Sequence, residues 1–221
     1  KGPTLEEDIA LSNISLDLLG QSNSLLEYCA NINGKLSADD LAFKRSEREF
    51  YNFQICEQEN GHFGDTIIRQ FLFDSYTLLF FQKLSESEDE TLSAIAVKSI
   101  KEIKYHLRHS SNWVIRLGDG TSLSKEKIQD SLNRIWKYTG EFFEIDELDI
   151  KMYENKIGVD VSKLKNDWND IINDTFEKAK IKRPDDGYMM TGSKKGIHTE
   201  FLGKILSEMQ YLPRAYPDAK W

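Results

Sequence analysis

The chain has 221 residues, with 29 lysines and arginines against 37 aspartates and glutamates, so its formal net charge is −8. This length can hold one large domain or at most two small ones, and the acidic balance argues against nucleic acid as a main ligand. The longest apolar stretch, residues 71–81, contains polar side chains and is shorter than the roughly 18 residues of a membrane span. Two cysteines are too few for a disulfide framework or a thiolate metal site, so we expect a cytoplasmic protein.

Helical periodicity runs through the sequence, and no segment alternates strictly enough to predict a strand. A first helix is predicted over residues 5–31, with Thr4 as its cap, an acidic first turn and Gly34 just beyond its end. Its apolar stripe is Ile14, Leu18, Leu25 and Cys29. Residues 35–60 are irregular and charged, which indicates a long connection with one or two short helical turns.

The next two long helices are predicted over residues 63–84 and 90–118. The first of them is apolar almost all round, as is typical of a central, buried helix. In the second, apolar residues recur with a period near 3.6, and Gly118 to Gly120 ends it with residues that tolerate left-handed backbone. Shorter amphipathic helices follow at 124–138, 160–180 and 197–211. We therefore predict an all-α domain over residues 1–221, a bundle with a C-terminal helical part from about residue 123.

Long helices invite a search for a carboxylate-bridged di-iron site, which takes Glu-x-x-His from each of two helices and a carboxylate from each of two others. The one literal match, Glu59 to His62, spans an Asn-Gly turn, so we interpret it as a loop. His106 and His109 have the spacing of a metal pair, but His109 is out of phase with the apolar stripe, which favours a surface pair. The Gly-rich basic segment 189–196 could contact a phosphate-bearing ligand, although a plain loop is the better interpretation.

Five polar residues remain on or beside apolar stripes: Asp17, Gln21, Asp74, Glu102 and His106. Asp74 must be paired, hydrogen-bonded or a metal ligand, because a lone buried carboxylate is costly. His106 is either a satisfied core histidine or a ligand, and Glu102, one turn before it, could pair with it. The residues leave two interpretations open. One is a vestigial pocket without metal; the other is a mononuclear or unusual metal centre built from His106, Glu102 and Asp74, with Asp17 as a further candidate.

Several long segments resemble the PaaA/PaaC family of bacterial phenylacetate-degradation proteins, and within it the PaaC subunits. The similarity covers essentially the whole chain in order. The segments are EEDIAL at 6–11, LDLLGQ at 16–21, IIRQFLFD at 67–74, KEIKYHLRHSS at 101–111, RLGDGT at 116–121, YTGE at 138–141, EMQYL at 208–212 and RAYP at 214–217.

This resemblance implies a ferritin-like four-helix bundle that serves as a structural, non-catalytic subunit of phenylacetyl-CoA epoxidase. That enzyme is a multicomponent monooxygenase, which uses O₂ and reductase-supplied electrons to form a ring epoxide of the CoA thioester. In the catalytic paralogue two helices carry Glu-x-x-His. The frames that look equivalent here are LLGQ at 18–21 and IKYH at 103–106, which lack two carboxylates and one imidazole. The resemblance thus implies no cofactor in this subunit, a di-iron centre in its homologous partner, and a hetero-oligomer with the other components of the complex.

Two further expectations concern exposed surface. The family carries another helix before the Glu6 region, and this chain begins with Lys1 rather than methionine, so we expect a missing bundle helix. Without it, the apolar faces of residues 65–84 and 92–117 should be partly uncovered. A third, weaker interpretation of the chain is a self-associating helical storage or scaffolding protein, with the aromatic residues around 50–53 as its contact.

Overall fold

The computed structural model describes residues 2–217 and 219, and this part of the chain is helical with no strand. The all-α prediction is confirmed, and the architecture is consistent with a ferritin-like helical bundle carrying extra helices. None of the described helices is long and apolar enough to cross a membrane. The α-helices in chain order are α1 (Leu5–Asn33), α2 (Ala38–Phe43), α3 (Phe63–Leu84), α4 (Glu90–Gly118), α5 (Ser122–Ile135), α6 (Glu147–Glu154), α7 (Lys165–Ala179) and α8 (Glu200–Ala215).

Helix α3 is the centre of the fold, as its all-round apolar sequence predicts. It packs along α4, and α5 and α7 lie against both of them. Burial of each large apolar side chain contributes about 1.5–3 kcal/mol, so this layer supplies much of the stability. The fully buried members are Ile67, Ile68, Phe71, Leu72, Ile103, Val114, Ile128, Leu132 and Ile172.

An aromatic cluster attaches the connection after α2 to this core. Phe53 meets Tyr76 and Phe142 edge-on, with ring centroids 5.5 and 5.2 Å apart, and Tyr76 stacks on Phe142 at 4.8 Å. The expectation of an exposed aromatic patch at residues 50–53 is therefore wrong for Phe53. Tyr51 is exposed, while Phe50 is half-buried beneath the Arg45 guanidinium.

The end of α4 shows why a glycine is needed there. A Cβ on Gly118 would lie 2.3 Å from the carbonyl oxygen of Ala179, because α4 and the end of α7 meet backbone to backbone. The prediction of a left-handed helix end is wrong, since Asp119 has φ −93° and ψ 7°. The glycine is required by packing rather than by backbone conformation.

The shorter helices depart from the predicted bounds. Helix α5 ends at Ile135 and continues as a 3₁₀ stretch, Trp136–Phe143, and a 3₁₀ turn, Val161–Leu164, precedes α7. Helix α6 has no counterpart in the prediction, since its sequence is short and has no buried residue. In the connection before α3, the expected short turns are α2 and the 3₁₀ turns Glu47–Glu49 and Gln54–Glu57.

Helix α1 lies on the outside of α4 and also contacts α2. Only Ile14 and Gln21 are buried along its length, and the predicted stripe is half-buried at Leu18 and Leu25 and exposed at Cys29. Thr4 is its N-cap residue but makes no side-chain capping hydrogen bond.

Uncovered apolar side chains lie on several helices, including α1, α4, α6 and α8. The expectation of a partly uncovered apolar face is confirmed in part. In α3 the side chains of Phe73, Leu78, Leu79 and Phe80 are half-buried, and α4 exposes Val97 and Tyr105. The outer face of α1, opposite the side on α4, exposes Leu5, Ile9, Leu16 and Leu19.

Candidate functional site

Two polar pairs join the middle of α1 to the middle of α4. His106 Nε2 lies 3.0 Å from Asp17 Oδ2, and Gln21 Nε2 donates to Glu102 Oε2 at 2.8 Å. Each pair is offset by one helical turn from the other, so both lie on the same strip of the interface. His106 is fully buried. The predicted pairing of Glu102 with His106 is wrong, because the two side chains bond to different residues of α1.

Two more polar pairs extend the interface toward both ends. His109 Nε2 lies 2.8 Å from Glu7 Oε2, and Tyr28 donates its hydroxyl hydrogen to Asp89 at 2.5 Å. The contacts advance along α1 as they retreat along α4, so the helices are antiparallel. The prediction that His109 lies on the surface is wrong, since α1 covers it and only 11% of its side chain is exposed.

Asp74 joins α3 to α4 separately from these pairs. Its carboxyl accepts hydrogen bonds from Gln70 Nε2 at 2.6 Å and Ser110 Oγ at 2.8 Å. The prediction that Asp74 is buried and must have partners is confirmed. Burial raises the pKa of Asp74 to about 7, and the two hydrogen bonds only partly offset this effect.

The candidate residues therefore form three separate connections rather than one metal-binding cluster. Asp74, Glu102 and His106 each have their own partner, and the described residues contain no group of three or more His, Cys, Asp or Glu side chains that could hold a metal ion. The Nδ1 atom of His106 is buried and has no hydrogen-bond partner within the described part of the chain. Among the side chains of the five candidate residues, all within the described part of the chain, it is the one buried nitrogen or oxygen without a hydrogen-bond partner.

The Glu-x-x-His match at residues 59–62 lies in the connection before α3. Glu59 is exposed and contacts Lys204, while His62 is the N-cap residue of α3 beside Asp65, so the Glu-x-x-His match is a loop as interpreted.

In segment 189–196, Ser193 N donates to the buried carboxylate of Glu141 at 3.2 Å, and Lys194 bonds to Asp149. The amide that could have held a phosphate oxygen is thus occupied by a carboxylate of the chain itself. Burial raises the pKa of Glu141.

A buried acid–imidazole pair was missed by sequence reasoning. His198 Nδ1 lies 2.6 Å from Glu57 Oε1, and both side chains are 1% exposed. The other carboxylate oxygen of Glu57 accepts from the backbone N and the hydroxyl of Thr199, both at 2.7 Å, and so caps the start of α8. The Nε2 of His198 lies 2.8 Å from the carbonyl oxygen of Phe50. Thr199 before an acidic residue signals a helix start, but no spacing links residue 57 to residue 198.

Comparison with known proteins places the chain among relatives. The family described as "Phenylacetic acid catabolic protein" matches residues 1–221. The chain belongs to this family. A member from Escherichia coli (strain K12), named as a subunit of 1,2-phenylacetyl-CoA epoxidase, is 46% identical over 219 residues, which cover 99% of this chain and 88% of that protein. The resemblance drawn from the sequence segments is confirmed.

Membership of the family raises the question whether these residues fit a di-iron centre. Such a centre needs carboxylates at the first position of both Glu-x-x-His frames. Those positions hold Leu18, which is half-buried, and Ile103, which is buried in the core. Gln21 stands where an imidazole is needed and is bonded to Glu102. The donor set of these two frames, residues 18–21 and 103–106, does not fit two irons.

Proposed function

We propose that the chain is a structural, non-catalytic subunit of a phenylacetyl-CoA epoxidase in aerobic phenylacetate catabolism. The observation that carries this proposal is that the candidate metal-binding side chains bond to partners of their own instead of forming a metal-binding cluster within the described residues. Asp17 and Gln21 face His106 and Glu102 across the α1–α4 interface, while Asp74 is held by Ser110 and Gln70. Polar groups satisfied in this way stabilise a fixed helix arrangement and have little capacity left to bind metal.

In this role the chain pairs with the homologous di-iron subunit and stabilises it. The name of the Escherichia coli relative, that of one subunit among others in an epoxidase, supports a place in a multisubunit enzyme. The exposed apolar side chains of α1 support it as well, since large apolar surfaces on a folded chain mark sites of association. We expect the cofactor, a di-iron centre, to belong to the partner and not to this chain.

Coexpression with the catalytic subunit of the same organism, followed by gel filtration and iron analysis, tests the proposal. We expect both chains to elute together, and the isolated chain to fold with only sub-stoichiometric metal. Separate elution of two well-folded chains would contradict the proposed pairing.

A second candidate function is an independent metal-binding oxidoreductase that uses His106, Glu102 and Asp74. The buried, unpartnered Nδ1 of His106 is the observation that favours it. The test compares His106→Ala with His109→Ala after expression with iron supplied, since His109 is also paired with a carboxylate of α1. Stoichiometric metal lost only in the His106 variant would support this alternative. Absence of metal in the folded parent chain would support the structural role.

A further inference from the structure

Helices α2 and α8 enclose an apolar groove of about 400 Å³ on the surface. Its apolar lining, the groove floor, consists of Phe43 from α2, Met209, Leu212 and Pro213 from α8, and Tyr216 directly after α8, and we call it the α2–α8 groove. Leu212 is 48% and Tyr216 59% exposed, so much of this apolar floor faces solvent. An apolar groove between two helices can accept one side of a third helix.

The groove continues along α8 as a stripe. Exposed apolar residues of α8 follow one another at i, i+4 and i+7, which places them on one helix face about 10 Å long, and Tyr216 extends this stripe directly after the end of the helix. The side that α8 buries in its own chain is a different one, formed by Leu202, Leu206 and Gln210. Helix α8 therefore carries exposed apolar residues in addition to the side that packs against its own chain. The exposed stripe is Ile205, Met209, Leu212 and Tyr216.

The rim of the groove is acidic. Asp39, Asp40 and Glu208 line it, together with Lys44, which pairs with Asp40 at 2.7 Å. Within the described part of the chain, neither Asp39 nor Glu208 has an ion-pair or hydrogen-bond partner. Two uncompensated carboxylates beside an apolar floor favour an occupant with basic residues beside an apolar face. A second copy of this chain, docked face to face, would bring the same carboxylates together, which is unfavourable.

We infer that the α2–α8 groove docks an amphipathic helix that carries lysine or arginine and belongs to another subunit of the epoxidase. The inference rests on the proposed function, because it takes the occupant from the same enzyme. Apolar residues of the occupant would cover Leu212 and Met209, and its basic residues would pair with Asp39 and Glu208.

The experiment measures binding of the purified chain to the remaining epoxidase subunits, coexpressed and immobilised, by biolayer interferometry. Leu212→Glu places a charge on the groove floor, and we expect it to weaken binding about tenfold or more. Tyr211→Glu is the matched control, because Tyr211 is 67% exposed on α8 and does not line the groove. Met209→Glu repeats the test at a second floor position, and thermal unfolding by circular dichroism shows that each variant folds.

A charge-reversed variant tests the basic character of the occupant. Glu208→Lys combined with Asp39→Lys should weaken binding and reduce its dependence on ionic strength, since fewer charge pairs remain to be screened.

The outcomes separate this inference from the proposed function. Binding that is weakened by both floor variants but not by the Tyr211 control supports the groove. Parent-like binding by all folded variants overturns the groove and leaves the proposed function standing. No binding by the parent chain overturns both. If the floor variants instead abolish concentration-dependent self-association of the chain, the occupant is a second copy and the inference is wrong.

Discussion

Replacing Asp74 by asparagine should make the fold more stable at pH 8 and less sensitive to pH. The carboxyl is buried in α3 with only two hydrogen-bond donors, and burial raises its pKa from 3.8 to about 7. Asparagine has nearly the same shape and no charge. Its Oδ1 can still accept from Gln70, and its Nδ2 can donate to Ser110 Oγ. The Ser110 hydroxyl then donates to the carbonyl oxygen of His106, 3.0 Å away.

The magnitude follows from linkage between proton binding and folding. The folded carboxyl keeps its proton up to about pH 7, whereas the unfolded one releases it near pH 3.8. Between these values the folded state holds the extra proton, so the free energy of unfolding falls as pH rises. The fall is complete above pH 7. A shift of about three pKa units corresponds to about 4 kcal/mol at most. The rearranged hydrogen bonds cost about 1 kcal/mol. We therefore expect Asp74→Asn to gain about 1–3 kcal/mol at pH 8 and to be neutral or slightly destabilised at pH 4–5.

Urea unfolding followed by circular dichroism at pH 5 and pH 8 measures both values. Asp170→Asn, an exposed substitution on α7, is the control for a change of net charge. The parent should lose stability between the two pH values more steeply than Asp74→Asn does. Equal pH dependence in parent and variant would show that Asp74 is ionised in the folded protein at little cost, and our reasoning about its burial would be refuted.

Three other substitutions, two of them with a matched control, test the helix packing, the cap of α8 and the aromatic cluster. Gly118→Ala should destabilise the protein by about 2 kcal/mol, because its Cβ would meet the backbone of α7. Gly203→Ala has open space around it and should be neutral or stabilising by up to about 1 kcal/mol. Thermal unfolding measures both changes. Glu57→Gln should lower the free energy of unfolding by about 2–3 kcal/mol and speed amide hydrogen exchange at the start of α8, because it weakens a buried cap. Glu59→Gln, at an exposed glutamate, should change neither quantity. Equal exchange rates in the two variants would argue against the cap. Phe142→Ala should cost about 3–5 kcal/mol in urea unfolding because it empties the aromatic cluster, and a loss under 1 kcal/mol would contradict that packing.

Periodicity and composition were sufficient for the long helices and for the burial of particular residues. The all-round apolar sequence of α3 predicted a buried Asp74, and the phase of His106 within α4 predicted that it faces the interior; both side chains are buried. The lack of a glutamate three residues before His106 could also be read from the sequence, since Ile103 is a single position, whereas the corresponding position at Leu18 was implied only by the family resemblance. Helix α6 was missed for the opposite reason, since eight residues without a buried position carry no periodic signal.

Which residues became partners was decided only by the tertiary structure. Glu102 bonds to Gln21 and not to His106, and Glu57 reaches His198 across most of the chain. The 3.6-residue period determines which side of a helix turns inward, because that depends on neighbouring residues alone. It contains no information on how far one helix slides or rotates against another, which depends on packing the whole core at once. The sequence alone therefore predicted which side of each helix is buried, whereas only the packed tertiary structure determined which side chains pair across those sides.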